Sequence, residues 1–502
     1  MINTTQLYQK FNKAVRWNSV LFFFNKISKT ALSFFLYYKL TAQDFSTWAN
    51  VYSFIFIFTL WTDFGFSRAL PQYCLIFAKN DKEKKRFISK VLIFKILISL
   101  FANTLFIIFT PKIAAFLHLQ NYKKYFYLGC ILFFAESIRS VFRLIFYSYF
   151  WQRSFNLIES FVISIHTITI IAIISFQVSS NAILSNIFIA QIIATATMVL
   201  VSIFMLSFLC KDKDYQGHKF INTQKSTKNF IKHCLAMWGL ISINSLTERN
   251  FLFPFLTHTL GFYFANIFKV ANDAALLFQR FVIKSIGTTG TSLFAHIETN
   301  QVKPTQVPVA LDGDLKITQH QRHVGSQFKR QNLFGDVFSK LTKRIVCLVF
   351  PLFGILLFLL LQTKQKSLNF QYLFFLKNGN HYIFKVFLLL ATLYLIQIIF
   401  MAYERILEVK RDYKELFISF LPYLGIIFFL LYCLYNKQCT INYSLISILL
   451  IIHVLRILSL AARVTYAKIK YNLKFPLKFT FCVVIISIIA SIALNFFVNI
   501  FR

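Results

Sequence analysis

Apolar runs of about 20 residues, the length a helix needs to cross a hydrocarbon core of roughly 30 Å, recur along the whole chain. About thirteen runs meet that criterion. They cover 17–38, 46–69, 88–110, 125–149, 157–177, 183–209, 229–252, 258–285, 341–362, 382–404, 415–435, 441–462 and 479–499. Polar backbone groups in lipid are satisfied within helices. The pattern therefore predicts an all-α polytopic membrane protein.

The polar segments between the runs alternate in basic content. With the N-terminus inside, inside loops hold about thirty Lys and Arg and outside loops fewer than about ten, as the positive-inside rule requires. The basic inside segments are 79–90, 211–232, 405–414 and 463–478. The predicted outside turns 178–182 and 253–257 carry no Lys or Arg. Residues 1–16 are polar and basic, and no short apolar core with a small-residue cleavage site follows, so the first span is expected to stay.

The spans divide at the basic segment 210–228. Residues 1–209 form one expected six-helix bundle and 229–462 a second, with a loop at 286–340. Residues 463–502 add a basic segment and one extra helix. The 286–340 loop contains Pro304 and Pro308 and reads as a polar connector, too short for a catalytic domain. A weak internal repeat supports the division. Leu40-Thr41 before Ser46 and Trp48 is echoed by Leu260-Gly261 before Asn266 and Phe268, six spans later.

The formal net charge is +36 over 502 residues. In a soluble protein that surplus suggests nucleic acid. Here the charges cluster in alternate loops beside anionic headgroups, so a nucleic-acid partner is not expected. The eight Cys are scattered and form no C-x-x-C, which predicts packing residues and neither a disulfide framework nor a metal site. No cofactor is expected. Asp212-Lys213-Asp214 and Asp312-Gly313-Asp314 read as solvated turns, and Gly287-Thr288-Thr289-Gly290 lacks the Gly-Lys-Ser/Thr of a phosphate loop.

Candidate chemistry lies in ionisable groups at membrane depth, each costing at least about 2.5–3.5 kcal/mol to insert. Lys26 and Lys29 share a face of span one. They either present ammonium groups to an anionic ligand or snorkel to the interface. Span two ends in Asp63 and Arg68, the first read as structural, the second as anchor or ligand. Glu136, Arg139 and Arg143 fall on one face of span four. Glu136 partly neutralises Arg139 and is expected to leave Arg143 with spare charge, and Arg forks suit phosphate oxygens. Lys269, Asp273 and Arg280 share a face of span eight, where Lys269 and Asp273 are spaced to pair. His453 reads as a packing histidine. Cations outnumber anions at depth, which suits an anionic ligand.

The first hairpin resembles the polysaccharide flippase family, within the superfamily of multidrug, oligosaccharidyl-lipid and polysaccharide exporters. Leu40, Phe45 and Trp48 are followed by Asp63-Phe64-Gly65-Phe66-Ser67-Arg68-Ala69-Leu70, and the second half echoes the family through Leu260, Gly261, Phe268 and Ala271. Thr41, Ser46 and Asn266 depart from the glycines usual there. The resemblance implies two pseudo-symmetric six-helix bundles around a central cavity, no enzymatic activity, and transport of a polyprenyl-diphosphate-linked oligosaccharide across the cytoplasmic membrane. With that substrate, the charged faces at membrane depth, Lys26, Lys29, Arg68, Arg139, Arg143, Lys269, Asp273 and Arg280, are expected at the diphosphate. Its partners would be the lipid-linked oligosaccharide, the bilayer, a coupling proton or ion, a polysaccharide polymerase and glycosyltransferases. Two rival functions stand beside it: an ion-coupled small-molecule exporter of the same fold, and a membrane glycosyltransferase or polysaccharide polymerase.

Overall fold

The computed structural model describes residues 27–77, 81–148, 151–176, 180–209, 223–245, 248–282, 338–355, 381–410, 412–435 and 444–500, with Leu21, Phe24, Asn25 and Phe358 beside them. Helices account for nearly all of these residues, and there is no strand among them. The helices are α1 (27–39), α2 (Ala42–Trp61), α3 (Phe66–Phe77), α4 (Asp81–Phe116), α5 (Lys123–Ser148), α6 (Gln152–Phe176), α7 (Ser180–Leu209), α8 (Thr223–Ser245) and α9 (Arg249–Val282). There follow α10 (338–355), α11 (His381–Ile399), α12 (Met401–Lys410), α13 (Tyr413–Ser419), α14 (Leu421–Tyr435), α15 (Leu445–Tyr471) and α16 (Leu477–Ile500). The 286–337 part of the predicted loop, Cys210 to Asn222 of the predicted linker, and the D-x-D and Gly287–Gly290 segments lie outside the described residues.

The surface polarity is inverted relative to a soluble protein. Ile93, Leu97, Phe101 and Ile108 on α4 and Phe161 and Ile168 on α6 point outward, while Lys95, Glu159, Lys269, Asp273 and Arg456 are buried. Large exposed apolar faces of this kind are at rest only against lipid. The chain is therefore a multi-pass membrane protein. Aromatic packing fills its interior, as where Phe58 stacks on Phe106 with centroids 4.7 Å apart.

Two breaks in the helices differ from the predicted spans. The second span, expected as one helix over 46–69, bends at Thr62–Gly65. Phe64 (φ 51°) and Gly65 (φ 76°) are both left-handed there. A side chain at Gly65 would fall on the backbone carbonyl of Cys234 in α8, so close approach and dihedral both require glycine. The Asp63 carboxylate accepts from the Ser67 N–H (3.1 Å) and hydroxyl (2.8 Å), capping α3. Its reading as a structural group stands.

The second break corrects the 253–257 turn. Those residues are helical, and the reversal comes at Gly261 (φ 80°, ψ 176°). His258 stacks on Phe116, and its Nδ1 lies 2.7 Å from the Phe116 carbonyl, at the α4–α5 turn. Thr257 accepts from Asn50 (3.2 Å), and Asn266 donates to the Ala42 carbonyl (2.9 Å). These contacts place Leu260-Gly261 at the same end of the molecule as Leu40-Thr41. Residues 249–260 thus lead to the Leu40 end of the molecule, and 262–282 run back as the eighth span. Seven described helices are long and apolar enough to cross a bilayer. One of them, Asn250–Leu277, is two pieces joined at Gly261. Both copies of the repeat then occupy the same place, a reversal followed by the opening turns of the next helix. Thr41 fills it in the first copy by accepting from the Asp44 N–H, a helix N-cap.

The chain's first and second halves touch at both ends of α2. Near Leu40 the contacts are those of Asn50 and Ala42 with α9. Near the bend, the Trp238 indole donates to the Trp61 carbonyl (2.7 Å), Phe64 stacks on Trp238 and Phe66 on Phe230.

Candidate functional site

The three-and-four spacing of Glu136, Arg139 and Arg143 points all three side chains from α5 toward α6 and α1. Arg139 donates to Glu136 (2.6 Å) and to Glu159 of α6 (2.5 Å). Arg143 donates to the same Glu159 oxygen. The expectation of spare charge on Arg143 is corrected in this respect: Glu159 neutralises part of it. One donor remains, because the buried Arg143 Nε has no hydrogen-bond partner.

Lys29 of α1 faces this group, and its nearest charges are Arg139, Glu159, Glu136 and Arg143. It forms no ion pair among the described residues, and it is exposed although it lies beside these groups. The Arg143 and Glu136 side chains keep 22% and 20% of their surface accessible, against 6% for Glu159. Lys29, Arg143 and Glu136 thus keep accessible surface in this cluster, and Glu159 is its least accessible charge. His166, two turns after Glu159 on α6, faces Lys29 and Glu136 and is hydrogen-bonded by Gln191 of α7.

A second group sits on α9. Lys269 and Asp273 pair one turn apart, as their spacing predicts. Asp273 also accepts from Ser33 of α1 (2.9 Å), and the Lys269 ammonium lies 5.3 Å from the centre of the Trp48 ring. Ser33 is one turn beyond Lys29, about 10 Å below the Leu40 turn at 1.5 Å per residue. Trp48 packs on Tyr52 (5.0 Å), and Tyr52 lies within electrostatic reach of Glu136 and Arg139. A strip of aromatic and polar groups thus joins the α9 pair to the α5–α6 cluster across α1 and α2.

Three of the eight predicted residues, Lys29, Arg139 and Arg143, come together at α5–α6, and two more, Lys269 and Asp273, form the separate pair on α9. Arg68 sits apart from both, half-buried on α3 past the bend. Lys26 lies outside the described residues. Arg280 lies within α9 two turns beyond Asp273, and its side chain is outside the described residues.

Among the buried charges that escape the sequence reading are Glu159 and Lys95. Glu159 is the third residue of the predicted span 157–177, where it reads as interfacial. Lys95 stands alone in the apolar run Val91–Leu100, so its signal was visible. It is 1% exposed and donates to the Thr62 carbonyl (2.7 Å) and hydroxyl (3.2 Å). An ammonium at the open carbonyls of a helix C-terminus is favoured by the dipole, so Lys95 fastens α4 to the end of α2. Further along, Tyr394 donates to Asn272 (2.5 Å) and packs edge-on against the buried His453. Arg463 pairs with Glu404 (3.2 Å) under the Phe420 ring.

The fold is that of known transporters. It resembles the crystal structure of the eukaryotic MATE transporter AtDTX14, with a TM-score of 0.58 at 12% identity, over 96% of this chain and all of that one. It resembles the lipid II flippase MurJ in an inward closed conformation, with a TM-score of 0.57 at 15% identity, over 95% and 91% of the two chains. It also resembles an outward-facing multidrug resistance MATE family transporter of the MOP superfamily, with a TM-score of 0.58 at 12% identity, over 92% and 96%. No family model matches the sequence, and no curated protein matches it either.

Proposed function

We propose that this chain is a flippase that moves a polyprenyl-diphosphate-linked oligosaccharide across the cytoplasmic membrane for surface polysaccharide synthesis. It would belong to the polysaccharide flippase branch of the superfamily that the resemblance names. Its N-terminus is cytoplasmic in this reading. Two six-helix bundles divide at 210–228 and rock against each other around a central cavity. The sugar crosses through the cavity while the prenyl tail stays in lipid. Glycosyltransferases supply the substrate and a polymerase consumes it. The chain itself carries out no bond-making step.

The observation that supports this reading is the meeting of Lys29, Arg139 and Arg143, with Lys29 unpaired among the described residues and the Arg143 Nε unused. Guanidinium forks and an ammonium are the groups that hold diphosphate oxygens. A carrier of cationic drugs would need surplus carboxylate there, and the cluster has the opposite balance. The test is to make Lys29→Gln and Arg143→Gln separately and follow surface glycan at matched protein level. Export is expected to fall about tenfold or more in each, the effect of one lost charged contact of about 1.4 kcal/mol. Unchanged export in both would discard the diphosphate reading.

The second reading, an ion-coupled small-molecule exporter, draws on the fold shared with MATE transporters. It is distinguished by a deletion strain that becomes drug-sensitive while its surface glycan stays intact.

A further inference from the structure

Glu159 is the least accessible charge in the α5–α6 cluster and the most heavily used. A single oxygen, Oε1, accepts from Arg139 (2.5 Å) and from Arg143. Glu136 takes a separate edge of Arg139, through Nε (2.9 Å) and Nη2 (2.6 Å). Glu159 is thus a carboxylate placed where two guanidinium groups converge, from a different helix. Bridging two arginines through one anionic oxygen is also what a phosphate does. Lys29 adds a third cation beside the same pair of arginines, without an ion pair among the described residues.

We propose that Glu159 is an internal stand-in for the ligand's phosphate. It holds Arg139 and Arg143 in the empty carrier, competes with the arriving anion, and returns to the arginines as the anion leaves. This rests on the diphosphate reading and adds to it a residue that sets how tightly the ligand is held. Buried arginines without a resident anion would bear an uncompensated desolvation cost. They would bind the first diphosphate tightly and release it slowly. A competing carboxylate weakens binding in exchange for release, and only the differential affinity between states drives a carrier.

The sign of one substitution separates this role from a structural one. The full chain is placed in nanodiscs, and inorganic pyrophosphate and a polyprenyl diphosphate are titrated as probes. Glu159→Gln removes the competing charge and keeps the shape. It is expected to bind both probes about tenfold more tightly, and to lower surface glycan export at matched protein level, because release becomes slow. A carboxylate that only props the arginines in place would give weaker binding in the same variant, and that result overturns the proposal. Unchanged affinity overturns it as well. Glu159→Asp keeps the charge but draws it back by one methylene. It is expected to bind about threefold more tightly, and it carries the test if the glutamine variant does not accumulate.

Arg143→Gln is measured beside them. If it leaves pyrophosphate and polyprenyl diphosphate affinity unchanged, the diphosphate reading itself fails. If it weakens binding while Glu159→Gln fails to tighten it, only the role of Glu159 falls.

Discussion

The α5–α6 cluster and the α9 pair both set cations against carboxylates but differ in closure. On α9, Lys269 and Asp273 neutralise each other, Ser33 takes a further bond of the carboxylate, and the Trp48 ring covers the ammonium. On α5 and α6, with Lys29 of α1 beside them, three cations share two carboxylates, an Arg143 nitrogen is left over, and Lys29 stands open. A buried pair that closes on itself has no charge to offer a ligand, and its own contribution to stability is small or negative. An imbalance kept at membrane depth is costly, because each charge there is expensive. Spacing alone makes the two groups look alike. What separates them is the number of partners each charge finds.

The sharpest way to break the comparison is Arg139→Leu. That change strips half-buried Glu136 and buried Glu159 of the arginine they share. Removing one side of a buried ion network costs about 3–5 kcal/mol. The expected outcome is a large drop in folded protein recovered from membranes, read by size-exclusion of the solubilised chain. Wild-type recovery would mean that the cluster is hydrated enough to screen its own charges.

The α9 pair predicts a smaller and recoverable effect. Lys269→Met alone takes from Asp273 its ion-pair partner on α9 and is expected to cost about 3 kcal/mol. Adding Asp273→Asn removes the carboxylate as well and should restore most of that loss. A double-mutant cycle read by thermal unfolding in detergent measures the coupling. Purely additive losses would show that the pair does not act as a closed unit.

Gly65→Ala tests the contact between the two halves at the bend, and its expected cost is smaller again. A non-glycine residue at positive φ costs of order 1–3 kcal/mol. Its Cβ would also meet the Cys234 carbonyl, so the α2–α3 bend and α8 must part. Accessibility of a cysteine at Trp238 to a thiol reagent should rise in the alanine variant. No change in labelling would mean that this approach does not hold the halves together.

Much of this architecture was legible from hydropathy, because lipid demands helices and the apolar runs mark them. The breaks were not. The Thr62–Gly65 bend lies within an apolar run, and its cause is a neighbour from α8 that no local pattern shows. Gly261 was visible as a glycine, but the turn was expected at 253–257, and the helix passes through those residues, Pro254 included. The arginines were legible as one face of a helix. Their closure by Glu159 was not, since a residue near a predicted helix end reads as interfacial until the bundle folds it inward. Lys95 was legible and went unread, and its partner, a backbone carbonyl, leaves no mark in sequence.

The smallest structural effect, and the one that best isolates the comparison, belongs to Lys29→Gln. Lys29 has no ion pair among the described residues, so its loss leaves no buried partner behind. Its contribution to stability is expected to be under about 1 kcal/mol, as for an accessible charge. On the stability axis it should fall well below Arg139→Leu and Lys269→Met. On the ligand axis it should rank with Arg143→Gln, because an ammonium that nothing in the fold consumes is there for something outside it. The two axes are read in one sample, by thermal unfolding with and without inorganic pyrophosphate. The unliganded transition should match wild type, and the pyrophosphate-induced rise should shrink. A lowered unliganded transition with an undiminished rise would place Lys29 in the scaffold and make the α5–α6 cluster as self-contained as the pair on α9.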